Sequence, residues 1–113
     1  MELKVIDAGD EYTHLALCGK MDNLGVTEIE NQFLELTAGR GKSSVIDISE
    51  VTFTGSNGLR LFLRALKVLR PLKKVVILLK PNRHLHAVLL DSGIQEAVII
   101  EQNTESALAK AKA

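Results

Sequence analysis

The sequence predicts an α/β fold built on a mixed, mainly parallel sheet of about five strands with about four helices. Three observations carry that expectation. The first two strand-like segments are separated only by Ala8-Gly9-Asp10-Glu11, a connection long enough for an antiparallel hairpin and too short for a crossover. After them, helical and strand-like stretches alternate to the end of the chain, the pattern of parallel strands joined by right-handed crossovers. Val75-Val76-Ile77-Leu78-Leu79 is a continuous apolar run of the kind found in strands buried on both faces.

Each element has its own justification. Residues 2–7 alternate weakly and form the expected first strand. Tyr12 to Gly19 forms the second, with Thr13, Leu15 and Leu17 on one face and Tyr12, His14 and Ala16 on the other. Asp22 or Asn23 can cap a helix in which Val26, Ile29, Phe33 and Leu36 recur at helical spacing, with Glu28, Glu30 and Glu35 outside. Gly39-Arg40-Gly41 is expected to end it. Ser44 to Ile48 is the third strand, and Thr54-Gly55-Ser56-Asn57-Gly58 is dense in turn residues. From Leu59 to Arg70 the pattern is helical and so apolar that only Arg60, Arg64 and Lys67 leave a polar stripe. That helix is expected to be largely buried, and Pro71 stops it. Asn82 can cap a third helix with Leu85, Val88 and Leu89 inside, closed by Asp91-Ser92-Gly93. Val98 to Ile100 is the last strand, and Thr104 is the expected cap of a terminal helix from Glu105 to Lys112.

Bulk properties narrow the function. The 113 residues suit one domain, with 46% apolar and 25% charged side chains, an ordinary globular balance. No apolar run approaches the roughly 20 residues that span a bilayer. The amino terminus lacks the basic and apolar regions of a signal peptide, so the expected location is the cytoplasm. Net charge is zero, yet residues 1–53 hold ten acidic and four basic side chains, whereas residues 54–90 hold eight basic ones and no acid. Such a division predicts an acidic and a basic face that could orient a partner. With four aromatics in all, and Phe33, Phe53 and Phe62 in settings that suit a core, there is no stacking platform for nucleic acid.

Catalytic constellations are missing. His84 and His86 are two apart, which puts them on different sides of a helix and unsuits them to share a metal. Cys18, the only cysteine, sits mid-strand and is expected to be a buried, inert thiol. No Gly-x-Ser-x-Gly elbow or Walker loop occurs. Attention therefore falls on Ser56, at the junction of the third strand and the helix after it. Its hydroxyl suits two roles: a helix cap worth about 1 kcal/mol, or an acceptor for a phosphate, where free N–H groups and the helix dipole favour negative charge.

The residues around it carry a family resemblance. Asp47-Ile48-Ser49-Glu50-Val51-Thr52-Phe53-Thr54-Gly55-Ser56-Asn57-Gly58-Leu59 resembles the signature of STAS domains, specifically of bacterial anti-sigma factor antagonists, whose usual form is Asp-Leu-Ser-x-Val-x-Phe-x-Asp-Ser-Ser-Gly-Leu. Gly19-Lys20-Met21-Asp22 is similar to the family's Gly-x-Leu-Asp, and Leu90-Asp91-Ser92-Gly93-Ile94 to its Leu-x-x-Ser-Gly-Leu. The match runs through the whole chain in order and implies a single STAS-like domain over residues 1–113.

The resemblance implies a regulator of transcription in bacterial signalling rather than an enzyme. Such antagonists dock an anti-sigma factor that is also a serine kinase and release the sigma factor. The kinase phosphorylates the serine matching Ser56 and ends binding; a PP2C-type phosphatase restores it. ATP belongs to the kinase, so no cofactor, metal or catalytic residue is implied for this chain, nor any contact with nucleic acid or insertion into a membrane. The expected partner-binding residues are Asp22, Thr54, Gly55, Asn57, Gly58, Arg60 and Arg64, the two arginines from the basic stripe of the helix, with Ser56 the phosphorylation site the resemblance implies. Two positions depart from the family pattern: Gly55 replaces its Asp and Asn57 its second Ser. STAS domains also serve as non-phosphorylated subunits of stress-signalling scaffolds and of lipid-transporting ABC ATPase complexes, which the resemblance leaves as the alternative.

Overall fold

A computed structural model describes all residues from 1 to 113. β1 (Glu2–Ala8) and β2 (Thr13–Met21) form the expected antiparallel hairpin, with a bulge between Val5 and Asp7. α1 (Asn23–Leu36) then crosses to β3 (Ser44–Thr54), α2 (Ser56–Leu69) to β4 (Val76–Leu79), and α3 (Arg83–Ser92) to β5 (Ile99–Glu101), before α4 (Thr104–Lys112) ends the chain. The strands lie in the order β1-β2-β3-β4-β5, and every pair after the hairpin is parallel. The predicted mixed sheet with four helices is the observed one.

The two faces of the sheet are filled unequally. Leu15, Leu17, Ile46, Ile48, Val76 and Leu78 point to one face and meet Val26, Ile29 and Phe33 of α1, Leu61, Phe62 and Leu66 of α2, and Leu85 and Leu89 of α3. Phe33 and Phe62 pack edge to face with ring centres 6.0 Å apart, joining the two helices above the sheet. On the other face Val45, Ile77 and Leu79 meet Ala107 and Ala111 of α4, with Leu108, Tyr12, Val75 and Ile99 packed at the margin. All four residues of β4 are buried, as their continuous apolar run predicts.

Several expectations need correction. β3 does not end at Ile48 but continues to Thr54, because β2 also continues to Met21 and the extra residues pair with it across two register shifts. Cys18 is exposed, since α4 packs on β3, β4 and β5 and does not reach that part of β2. α1 stops at Leu36, and Gly41 closes a separate 3-10 turn over Ala38–Arg40 in a left-handed conformation. α2 is not buried all round: Leu63 and Val68 are exposed. The cap of α4 is Asn103, whose side chain accepts from the Ser106 N–H, and Thr104 is already inside the helix. Asn82 does cap α3, accepting from the Leu85 N–H at 2.8 Å.

Candidate partner-docking site

The site forms where β2 and β3 end and α1 and α2 begin. Parallel strands deliver both helix starts to the same edge of the sheet, at the carboxyl ends of β2 and β3. At the end of β3, Thr54 is buried, and its Oγ1 donates to the Gly55 carbonyl at 3.2 Å. The Gly55 N–H donates to the Met21 carbonyl at 3.1 Å, fixing the turn to the end of β2.

Gly55, not Ser56, is the cap residue of α2. Its backbone is extended, its carbonyl accepts from the Gly58 and Leu59 N–H groups, and no side chain completes the cap. Ser56 occupies the first helical position and is exposed. The cap role is therefore excluded for Ser56, and its hydroxyl stands free beside the positive end of α2.

The neighbouring residues are tied to one another. The Asn57 side-chain amide donates to Oδ1 of Asn23, linking the starts of the two helices. Arg60 Nη1 donates to Asn57 Oδ1 at 2.9 Å, which holds the guanidinium one turn beyond Ser56. Arg64 lies a further turn along and reaches Glu30 of α1 at 3.3 Å. Between the helices runs an open groove of about 210 Å³, lined by Asn23, Thr27, Glu30, Asn57, Arg60 and Arg64 among others. Both arginines are exposed, so these pairs organise the surface more than they stabilise the fold.

Asp22 caps α1, its Oδ1 accepting from the Gly25 N–H at 2.8 Å. Of the residues expected to bind a partner, Asp22, Thr54, Gly55, Asn57, Gly58 and Arg60 gather at this edge, while Arg64 sits on the α1-facing flank of α2. Thr54 and Gly58 are buried and shape the turn from beneath.

Two features of the edge escape the sequence reading. Phe53 is 46% exposed and Leu24, in the first turn of α1, is 71% exposed, which adds an apolar component to a basic surface. The register shift between Gly19 and Lys20 turns Phe53 outward, a tertiary event with no local signal. Gly25 is the other: a Cβ there would lie 1.9 Å from the Lys20 carbonyl oxygen, so the first turn of α1 closes only over glycine. No cluster of three or more His, Cys, Asp or Glu side chains is arranged to hold a metal. No helix is long and apolar enough to cross a membrane.

A family model described as "Mlab, STAS domain" matches residues 5–101. Among solved structures, the chain resembles an anti-sigma factor antagonist (STAS) domain protein from Planctomyces limnophilus, with a TM-score of 0.80 at 22% identity over 96% of this chain and 97% of that one. It also resembles an anti-sigma factor antagonist from Mycobacterium paratuberculosis, with a TM-score of 0.84 at 17% identity over 99% and 96%. The Bacillus cell fate determinant SpoIIAA in its phosphorylated form gives a TM-score of 0.70 at 20% identity over 96% and 98%. No curated protein matches the sequence.

Proposed function

The chain belongs to the STAS-domain family, and from that premise we propose that it is an anti-sigma factor antagonist-like binding module rather than an enzyme. In this reading one domain over residues 1–113 docks a serine-kinase anti-sigma factor in the cytoplasm through the edge formed by Asp22, Thr54, Gly55, Asn57, Gly58, Arg60 and Arg64. Phosphorylation at Ser56 ends the binding, a PP2C-type phosphatase restores it, and transcription follows the free sigma factor. The observation that carries the reading is the exposed Ser56 hydroxyl at the first position of α2, uncommitted to any cap and one turn from Arg60. A phosphate there adds a charge of about −2 at the positive end of a helix, which the helix tolerates. A partner seated over the same spot must instead desolvate that charge, which is costly.

A second reading is the non-phosphorylated STAS subunit of a stress-signalling scaffold or of a lipid-transporting ABC ATPase complex. Gly55 and Asn57 favour it, because the family's acid beside the phospho-acceptor is missing, and the matching family model carries the Mlab description. Capture of partners from native lysate, read by mass spectrometry, separates the two. A sigma-factor kinase together with phosphate on Ser56 supports the first reading. A transport ATPase or scaffold protein with unmodified Ser56 supports the second.

A further inference from the structure

We propose that the face carrying α1 and α2 is complementary to itself, and that a second copy of this chain is its occupant when no other protein covers it. The outward side of α1 presents Leu24, Glu28, Asn31 and Glu35, at spacings of four, three and four, all exposed. The outward side of α2 presents Ser56, Arg60, Leu63 and Lys67 at the same spacings, also all exposed. These intervals place each set in one line along its helix. One line is acidic, the other basic.

The helices lie side by side and run in the same direction, since each follows a parallel strand. They are also level. The two side-chain hydrogen bonds that cross between them, Asn57 to Asn23 and Arg64 to Glu30, each join residues 34 apart in sequence. A two-fold axis parallel to both helices therefore lays α1 of each copy on α2 of the other without sliding. Glu28 then faces Arg60 of the second copy, and Glu35 faces Lys67. Each pair is about 3 Å out of level at 1.5 Å per residue, within the reach of these long side chains. Leu24 comes over Ser56 of the second copy, so self-association hides the free hydroxyl, and Leu63 adds apolar area near Asn31. Because the contact is isologous, every pairing occurs twice.

Existing partners do not block these contacts. Glu28 holds the amino terminus through one carboxylate oxygen, and Arg60 spends one of its donors on Asn57. The contact is rich in exposed charge, which makes it weak and sensitive to salt. It rests on the two charged lines alone and holds whichever partner the site takes.

The test uses the full chain and two charge-reversed forms, with mass in solution measured by sedimentation. Glu28→Lys with Glu35→Lys makes both lines basic; Arg60→Glu with Lys67→Glu makes both acidic. Wild type is expected to double its mass at low ionic strength and return to monomer as the Debye length falls to about 3 Å near 1 M salt. Each variant alone is expected to remain monomeric, and an equimolar mixture to recover the dimer, because every contact in the mixed pair is complementary again. A monomeric wild type at high concentration overturns the proposal. So does a dimer that ignores salt and both variants, or a mixture that stays monomeric.

Discussion

A Cβ on Gly58 would lie 2.3 Å from Oγ1 of Thr54 and 3.0 Å from Cβ of Met21, so the first turn of α2 is closed directly against the ends of β2 and β3. That contact sets the height at which Ser56 and Asn57 stand above the sheet edge. Gly58→Ala should cost about 1–3 kcal/mol, the range for overpacking a buried site. Urea unfolding measures it. A variant as stable as wild type would show that the turn can open without penalty.

Gly55 behaves in the opposite way. A Cβ there meets nothing nearer than Phe53 Cε2 at 3.6 Å, an ordinary contact, and the backbone is already extended as a cap requires. Gly55→Asp should therefore be accepted and should stabilise α2 by a few tenths of a kcal/mol, through a side-chain bond to a free N–H and a charge near the positive helix end. Thermal melts of the two proteins report it. A lower melting temperature would mean that the acid meets an obstacle this geometry does not contain.

His14 makes stability depend on pH. It is buried on β2, its Nε2 has no hydrogen-bond partner, and burial pushes its pKa below 6.5, although Asp47 and Asp7 pull the other way and Lys80 adds to the lowering. The unfolded chain then binds the proton more readily than the folded one. Stability from this group is full above pH 6.5 and falls as pH drops through the window below it. His14→Leu should flatten that part of the curve of unfolding free energy against pH. An unchanged slope would assign the effect to other groups.

Exchange of Arg60 and Arg64 for Glu probes the basic flank. Both are exposed, and Arg64 contributes only a surface pair with Glu30, so the fold should survive with a loss of no more than about 1 kcal/mol. Affinity for the captured partner should fall on the order of 100-fold, since reversed charges repel where cations had attracted. Calorimetric titration of the folded variant decides it. Full affinity would move the docking surface elsewhere.

The order of elements and the inner face of the sheet were legible because they rest on periodicity. Val26, Ile29 and Phe33 follow the helical repeat, and Val76 to Leu79 the buried run. What escaped rests on pairing between distant segments. The third strand read as ending at Ile48 because its apolar run stops there, and the Asp47 carboxylate does accept locally from the Ser49 N–H. The neighbouring strand nevertheless extends β3 through the bulges. The same shift exposes Phe53, and the limited reach of α4 exposes Cys18. Ser56 and Thr104 were each displaced from the cap by one residue, because the cap is fixed by backbone conformation and not by side-chain type alone. Gly25 offered no signal except its own presence in the first turn of a helix.

The Ser56 hydroxyl is the proposed switch on the docking edge. Its most direct test is the affinity of the captured partner for the unmodified chain and for the same chain phosphorylated on Ser56. Phosphorylation should weaken binding by at least about tenfold, equivalent to about 1.4 kcal/mol. Equal affinity for the two forms would contradict it.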